Sequence, residues 1–233
     1  MSKLANQHTP TIIFEDNHLL IVHKPPGMLS QGDVSGDLCV FEWAKAYIKK
    51  AYNKPGNVYV ALLHRLDRPT GGLIALAKTS KAAGRISKDF EQRKVQKTYY
   101  AITEQTPEEQ SGTLVHFMKN LPGKNIMRAY YKQLHQTKRA ELHYRVLQTR
   151  GNRALVEVKP VTGRKHQIRV QLSSLNCTIV GDVKYGKSDF NKDKSICLLA
   201  GKLTFEHPVK KEQMTFVANW PKNEAWTDFK NPL

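Results

Sequence analysis

His64-Arg65-Leu66-Asp67-Arg68-Pro69-Thr70-Gly71-Gly72 is the densest polar stretch of this chain. It lies between two apolar runs, Val58–Leu63 and Leu73–Ala77, that read as β-strands. Two arginines, an aspartate and a histidine are thus held in a rigid Pro- and Gly-containing loop pinned at both ends. Loops anchored in this way are where binding and catalytic groups concentrate. An aspartate in such a loop also has a bland use, accepting backbone hydrogen bonds in its own turn. The residues alone leave both uses open.

Upstream, Thr11–Phe14 and Leu19–His23 are β-rich runs separated by Glu15-Asp16-Asn17, the pattern of a hairpin. Lys24-Pro25-Pro26-Gly27 breaks the second run, and a loop continues through Ser30–Gly36. Asp37 is positioned to cap a helix running to Tyr52, with Leu38, Phe41, Ile48 and Tyr52 on one side. Downstream, Thr79 or Ser80 can cap a second helix with Ala83, Ile86 and Phe90 inward and Lys81, Arg85, Lys88 and Arg93 outward. Lys97–Thr103 reads as a strand. Ala140–Leu147 alternates cleanly, and Ala154–Val158 can pair with it across the Gly151-Asn152 turn. Gly163–Leu175 reads as a helix with Ile168, Leu172 and Leu175 inward. Residues 113–139 interleave Lys119, Lys124, Arg128, Lys132, Lys138 and Arg139 with Phe117, Tyr130 and Tyr131, which suits either an RNA-facing insertion or a pair of solvated edge strands. Helices and antiparallel hairpins mix without a regular βαβ period, so one α+β domain is expected over residues 11–233, after a loose tail at 1–10.

Composition narrows the partners. With 40% hydrophobic and 24% charged residues the chain is an ordinary folded protein. No apolar stretch approaches the roughly 20 residues of a membrane span, and the start has no secretory pattern. The cysteines, Cys39, Cys177 and Cys197, are three and widely spaced, so neither a disulfide framework nor structural zinc is expected, and a reducing cytoplasm fits best. Lys plus Arg is 37 against 20 Asp plus Glu, a net charge of +17. That excess repels itself unless something anionic offsets it, and nucleic acid is the first expectation. The sequence has no GxxxxGK[ST], no GxGxxG after a strand and no HExxH, so nucleotide, dinucleotide and zinc-protease chemistry have no support. No cofactor or metal is expected.

A second concentration is Gly163-Arg164-Lys165-His166-Gln167-Ile168-Arg169, three cations at an expected helix start, where anions bind readily. They suit an RNA-phosphate patch or a solvated face, and Arg164 or Arg169 could instead pair with a catalytic carboxylate. Residues 64–78, HRLDRPTGGLIALAK, resemble the HRLDxxTSGxLLxAK motif of the RluA-type pseudouridine synthases. Lys97–Ala101 is similar to that family's KxYxA, Gly163–Val170 to GRTHQIRVH, and Ile179–Gly186 to PIxGDxxYG. The opening IIFEDNHLLIVHKPPGML is similar to the family's first hairpin and KPxG loop. These matches keep the family's order and span residues 11–205. Three departures are Gly71 for serine, Lys165 for threonine and Gln171 for histidine.

The resemblance implies a single α+β catalytic domain on a mixed, mainly antiparallel sheet. It implies isomerisation of uridine to pseudouridine in structured RNA, ribosomal or transfer, with Asp67 as the catalytic carboxylate. Arg169 then corresponds to the arginine that keeps it ionised, Tyr99 to the tyrosine against the uracil and Ile168 to an apolar pocket wall. Arg65 corresponds to the residue that fills the stack vacated by the flipped base. His64 is expected to order the loop, and Arg164 to contact RNA. Since the first hairpin begins near residue 11, no separate N-terminal RNA-binding domain is expected. A cytoplasmic monomer is expected, with no membrane partner. DNA is not expected either, because no helix-turn-helix pattern is present. The competing class is a non-catalytic RNA-binding or ribosome-assembly protein on the same fold, for which a carboxylate facing phosphates has no use.

Overall fold

A computed structural model describes residues 9–186, 191 and 195–233. Most of the expected N-terminal tail, residues 1–8, lies outside the described residues. In chain order the elements are β1 (Thr11–Glu15), β2 (Leu19–Lys24), α1 (Val40–Ala51), β3 (Ala61–Leu62), β4 (Gly71–Ala77), α2 (Ser80–Glu91), β5 (Gln96–Thr103), β6 (Ser111–Asn120), β7 (Met127–Tyr130), β8 (Lys138–Arg150), β9 (Arg153–Pro160), α3 (Gln167–Ser173), β10 (Leu198–Glu206), β11 (Gln213–Val217) and α4 (Glu224–Thr227). The class is α+β, and the strand pairings within each unit are antiparallel. No helix among the described residues is long and apolar enough to cross a membrane. The chain divides into two compact units: residues up to Gln96 with Ala200–Asn219, and Lys97–Leu199 with Trp220–Leu233.

In the first unit β1 and β2 form the expected hairpin, closed by Asp16, whose Oδ1 accepts from the His18 and Leu19 amides at 2.8 and 2.7 Å. β2 pairs with β4, and all seven residues of β4 are buried. A run of small and branched apolar residues with no polar face is what a central strand requires. Gly72 has φ +118°, and a Cβ there would strike the backbone of Ala200, so only glycine lets β10 approach β4 this closely. β3 is shorter than the expected strand. It pairs only with Leu76–Ala77, because β10 takes the other end of the same β4 edge. α2 follows expectation: Thr79 caps it, and Ala82, Ala83 and Ile86 are buried. α1 departs from expectation. Cys39, not Asp37, is its N-cap, and Val40, Ala44 and Ile48 are its buried side. Leu38 and Tyr52 are 60% and 49% exposed.

In the second unit β9 lies between β5 and β8, and β8 pairs in turn with β6, which pairs with β7. Ala140, Leu142 and Tyr144 point inward as the alternation expects. α3 packs Val170 against Met118 and Ala140. It is only seven residues long, against the expected span of 163–175. His166 stands before it with φ +53°, so the arginine and lysine ahead of it lie outside the helix. The cause is Gln167, whose Oε1 accepts from the Arg164 amide at 2.9 Å and from Thr162 Oγ1 at 2.7 Å, holding a turn instead.

Candidate active site

The loop between β3 and β4 is tied down from both sides within the first unit. Leu66 is buried, and its amide and carbonyl both engage Ser30 Oγ, at 3.0 and 2.7 Å. The Thr70 amide donates to the Asp67 carbonyl at 3.0 Å, closing the turn through Arg68-Pro69. Burying Leu66 turns its neighbours outward: Arg65 is exposed and Asp67 half-buried. Arg68 reaches back, donating from Nε to the Gly27 carbonyl at 2.9 Å and from Nη2 to Asp37 Oδ2 at 2.6 Å. Asp37 is therefore engaged by the loop, which is why it does not cap α1.

Lys24 is the unexpected member. Its side chain is fully buried, and Nζ donates to the carbonyls of Pro25, Met28 and Arg68 at 3.0, 2.8 and 3.1 Å. Three N–H bonds meet three acceptors, joining the KPPG turn to the Asp67 loop. Burial lowers its pKa to about 7, with Asp67 opposing that fall and Arg68 adding to it. His64 Nε2 accepts from the Ala75 amide at 3.1 Å, and its ring stacks on Phe90 at 5.2 Å. An Nε2 that accepts leaves the ring proton on Nδ1, so this imidazole is a neutral brace for the loop.

Gly71 fits its surroundings. A Cβ there would sit 3.3 Å from Pro26 Cδ, tighter than ordinary contact. Proline at the variable position of the KPxG turn thus accounts for glycine where the family motif has serine.

In the second unit Tyr99 lies on β5, opposite Val158 and half-buried. Ile168 and Arg169 are buried on α3. Arg169 makes a two-pronged ion pair with Asp182: Nε to Oδ2 and Nη2 to Oδ1, both 2.7 Å, with side chains 5% and 1% exposed. The Lys184 amide adds a third bond to Asp182 at 3.1 Å. The guanidinium lies over the Tyr185 ring at 5.1 Å. Tyr185 Oη accepts from the Met127 amide at 2.9 Å and meets His166 Nδ1 at 2.6 Å. Asp182 and Tyr185 come from IVGDVKYG, so two family motifs are joined through Arg169. Lys97 Nζ lies beside Gly163, and burial lowers its pKa.

Arg164 is exposed and donates from Nε to the Arg139 carbonyl at 3.0 Å. Lys165 is exposed and nothing in the structure explains why lysine stands there. Gln171 is buried, donating to the Leu114 carbonyl at 2.9 Å and to His116 Nδ1 at 3.1 Å. Sequence reasoning did not single out Lys24, Asp182 or Tyr185. All three stand in motifs already quoted, and a lysine followed by two prolines next to an apolar strand was the available signal for the first.

Residues 18–174 match the model of a family described as RNA pseudouridylate synthase. The dual-specificity RNA pseudouridine synthase RluA of Vibrio vulnificus is 34% identical over 84% of this chain and 78% of its own length. The ribosomal large subunit pseudouridine synthase D of Zymomonas mobilis is 30% identical over 91% of this chain and 69% of its own. Among solved structures, human RNA pseudouridylate synthase domain containing 4 superposes with a TM-score of 0.75 at 27% identity, covering 91% of this chain and 89% of that one.

Proposed function

The chain belongs to the RNA pseudouridylate synthase family, and from that premise we propose that it converts uridines of structured RNA, ribosomal or transfer, with Asp67 as the essential carboxylate. The observation that carries the site reading is the Asp67 loop itself. Lys24 and Ser30 donate to the loop carbonyls of Arg68 and Leu66, while the loop's own Arg68 and His64 side chains anchor it to the Gly27 carbonyl and the Ala75 amide. A loop braced by so many neighbours presents Asp67 and Arg65 in one arrangement, as preorganised chemistry requires.

The reaction breaks the bond from uracil N1 to ribose C1′, turns the base, joins C5 to C1′ and removes the C5 proton. Oxidation state is unchanged and nothing is hydrolysed. In this proposal Asp67 supplies the ionised carboxylate for the sugar or the base. Tyr99 packs against uracil and accepts the role at the C5 proton. Arg169 takes the role that the family resemblance gives its arginine toward that carboxylate, and within its own unit it is held in place by Asp182. Ile168 forms the apolar wall. Because the target base is stacked, it is flipped out at a cost of a few kcal/mol, and Arg65 enters the gap: its guanidinium is planar and charged, able to stack and to contact phosphate. Arg164, exposed before α3, contacts the RNA backbone.

The ribosomal reading is supported by the name of the Zymomonas relative, and the net charge of +17 supports RNA over a small substrate. We further propose one catalytic domain over residues 11–233, acting as a cytoplasmic monomer and not on DNA. The three thiols, all buried and free, are compatible with a reducing compartment. Mapping pseudouridine in total RNA from cells with and without this gene tests the proposal. One or a few sites lost on deletion, and regained with the wild-type gene, are expected. An unchanged map refutes it.

A further inference from the structure

From Ser111 to Ala140 the sequence contains no Asp or Glu, while it contains Lys119, Lys124, Arg128, Lys132, Lys138 and Arg139. The structure folds this stretch into β6, β7 and the start of β8. Strand alternation then sorts it by face. His116, Met118 and Ala140 are 3%, 1% and 0% exposed, and Met118 and Ala140 pack with Val170 in the core. On the other face Phe117, Lys119 and Tyr130 are half-buried and Arg128 is exposed. On it Phe117 lies directly opposite Tyr130 and Lys119 opposite Arg128, so two aromatics and two cations form one four-residue block. Lys119 Nζ stands 5.5 Å from the Tyr130 ring and the Arg128 guanidinium 5.4 Å from it. Both cations thus face an aromatic ring, whereas Arg139, directly opposite Phe117 on β8, pairs with Glu141, and further across the sheet Arg145 and Lys159 face Glu157. Carboxylates balance one end of this face, and the hairpin end carries none.

We propose that this face of the β6–β7 hairpin is a stacking platform for a single-stranded stretch of RNA flanking the modified uridine. Bases stack on Phe117 and Tyr130, and Lys119 and Arg128 contact the adjoining phosphates. The proposal rests on the reading of this chain as an enzyme of RNA. Uncharged apolar partners do not suit a block with two cations and no acid. A structureless anion would not need two aromatics side by side, whereas every nucleobase has a π-face to offer. The platform is tolerant of sequence, so it adds affinity and register and leaves the choice of uridine to the site.

The probe is a fluorescein-labelled twelve-nucleotide oligoadenylate, titrated by anisotropy. Phe117→Ala with Tyr130→Ala weakens binding tenfold or more, since one stacked base contributes about 5- to 150-fold. Phe117→Tyr with Tyr130→Phe keeps wild-type affinity, because the π-faces remain. Lys119→Gln with Arg128→Gln flattens the plot of log affinity against log salt by about 1.4, at roughly 0.7 per phosphate contact on a single strand. Melting curves establish that each variant is folded, and the glutamine pair, being on the surface, keeps the test available if the alanine pair is not. Affinity within threefold of wild type in the folded alanine pair, or an unchanged salt slope in the glutamine pair, overturns the platform and leaves an acidic protein as the alternative occupant. Tritium release from carbon-5-labelled ribosomal transcript is measured alongside with wild-type protein. Its absence would count against the enzymatic reading, while the oligoadenylate titration still decides the platform.

Discussion

Replacing Lys24 by methionine separates two things this residue does. Its ammonium is fully buried and satisfies three carbonyls, those of Pro25, Met28 and Arg68. Methionine fills the space but leaves three acceptors without that donor, at about 1–3 kcal/mol for each that finds no other. The second effect is protonic. Burial holds the folded-state pKa at about 7, against an ordinary 10.5. The unfolded chain therefore binds one proton more than the folded chain between those values, and stability rises with pH across that window. Below pH 7 both states are protonated and the cost of burying the charge is fully present. At about 1.4 kcal/mol per pH unit, the contribution rises by about 2.5 kcal/mol from pH 6 to pH 9 once the curvature near the folded pKa is included. Lys24→Met lacks this rise. The stability gap between wild type and variant should thus widen by that amount between the two pH values. Urea unfolding of both proteins at both pH values measures it. A gap constant to within about 0.5 kcal/mol would refute the reasoning, since it would mean that Lys24 stays an ordinary ammonium and the three carbonyls outweigh its desolvation.

Asp182→Ala removes two charge-assisted bonds to Arg169 and the acceptor of the Lys184 amide. At about 1.5–3 kcal/mol per charged bond it should lower stability by 3 kcal/mol or more, read from urea unfolding by the fluorescence of Trp220 and Trp226, which pack together in the same unit. Gly72→Ala places a methyl group into the backbone of Ala200 at a positive φ and should prevent accumulation of folded protein at 37 °C, whereas Gly84→Ala, in open space on α2, should raise the melting temperature slightly. Arg65→Ala should slow extrusion of the target base more than it weakens RNA binding, and Arg65→Lys should rescue poorly, followed with a fluorescent base analogue beside the target uridine.

The strands that were legible carry strong local patterns, whereas the stretch of β6 and β7 reads equally as an insertion or as edge strands, and the bounds of β10 and β11 are not legible. Ala140, Leu142 and Tyr144 on β8, and the all-apolar β4, left little choice of face or depth. What the sequence hid was competition for single groups. Asp37 is a good helix cap by type, but Arg68 claims it from thirty-one residues away, and the cap passes to Cys39 Sγ. Gln167 is a good helix former by type, but its carboxamide ties Thr162 and Arg164 into a turn and shortens α3. Val58–Leu63 has strand propensity throughout, yet only two residues find a free edge, because β10 arrives from the far end of the chain. The motifs named Asp67, Tyr99 and Arg169. The groups that hold them, Lys24 and Asp182 above all, follow from burial and from long-range hydrogen bonds that no local pattern records.

The most direct test of the central claim is tritium release from carbon-5-labelled uridine in RNA by Asp67→Asn. Asparagine is nearly isosteric and keeps an acceptor, but it supplies neither a carboxylate nucleophile nor a negative charge. Turnover should fall by several powers of ten while RNA binding by filter assay stays near wild type and the melting temperature is unchanged or higher. If Asp67 only braces its loop, the pattern reverses, with a lower melting temperature and substantial activity. A folded Asp67→Asn protein that isomerises uridine at more than about one tenth of the wild-type rate, a barrier change below roughly 1.4 kcal/mol, would contradict the assignment.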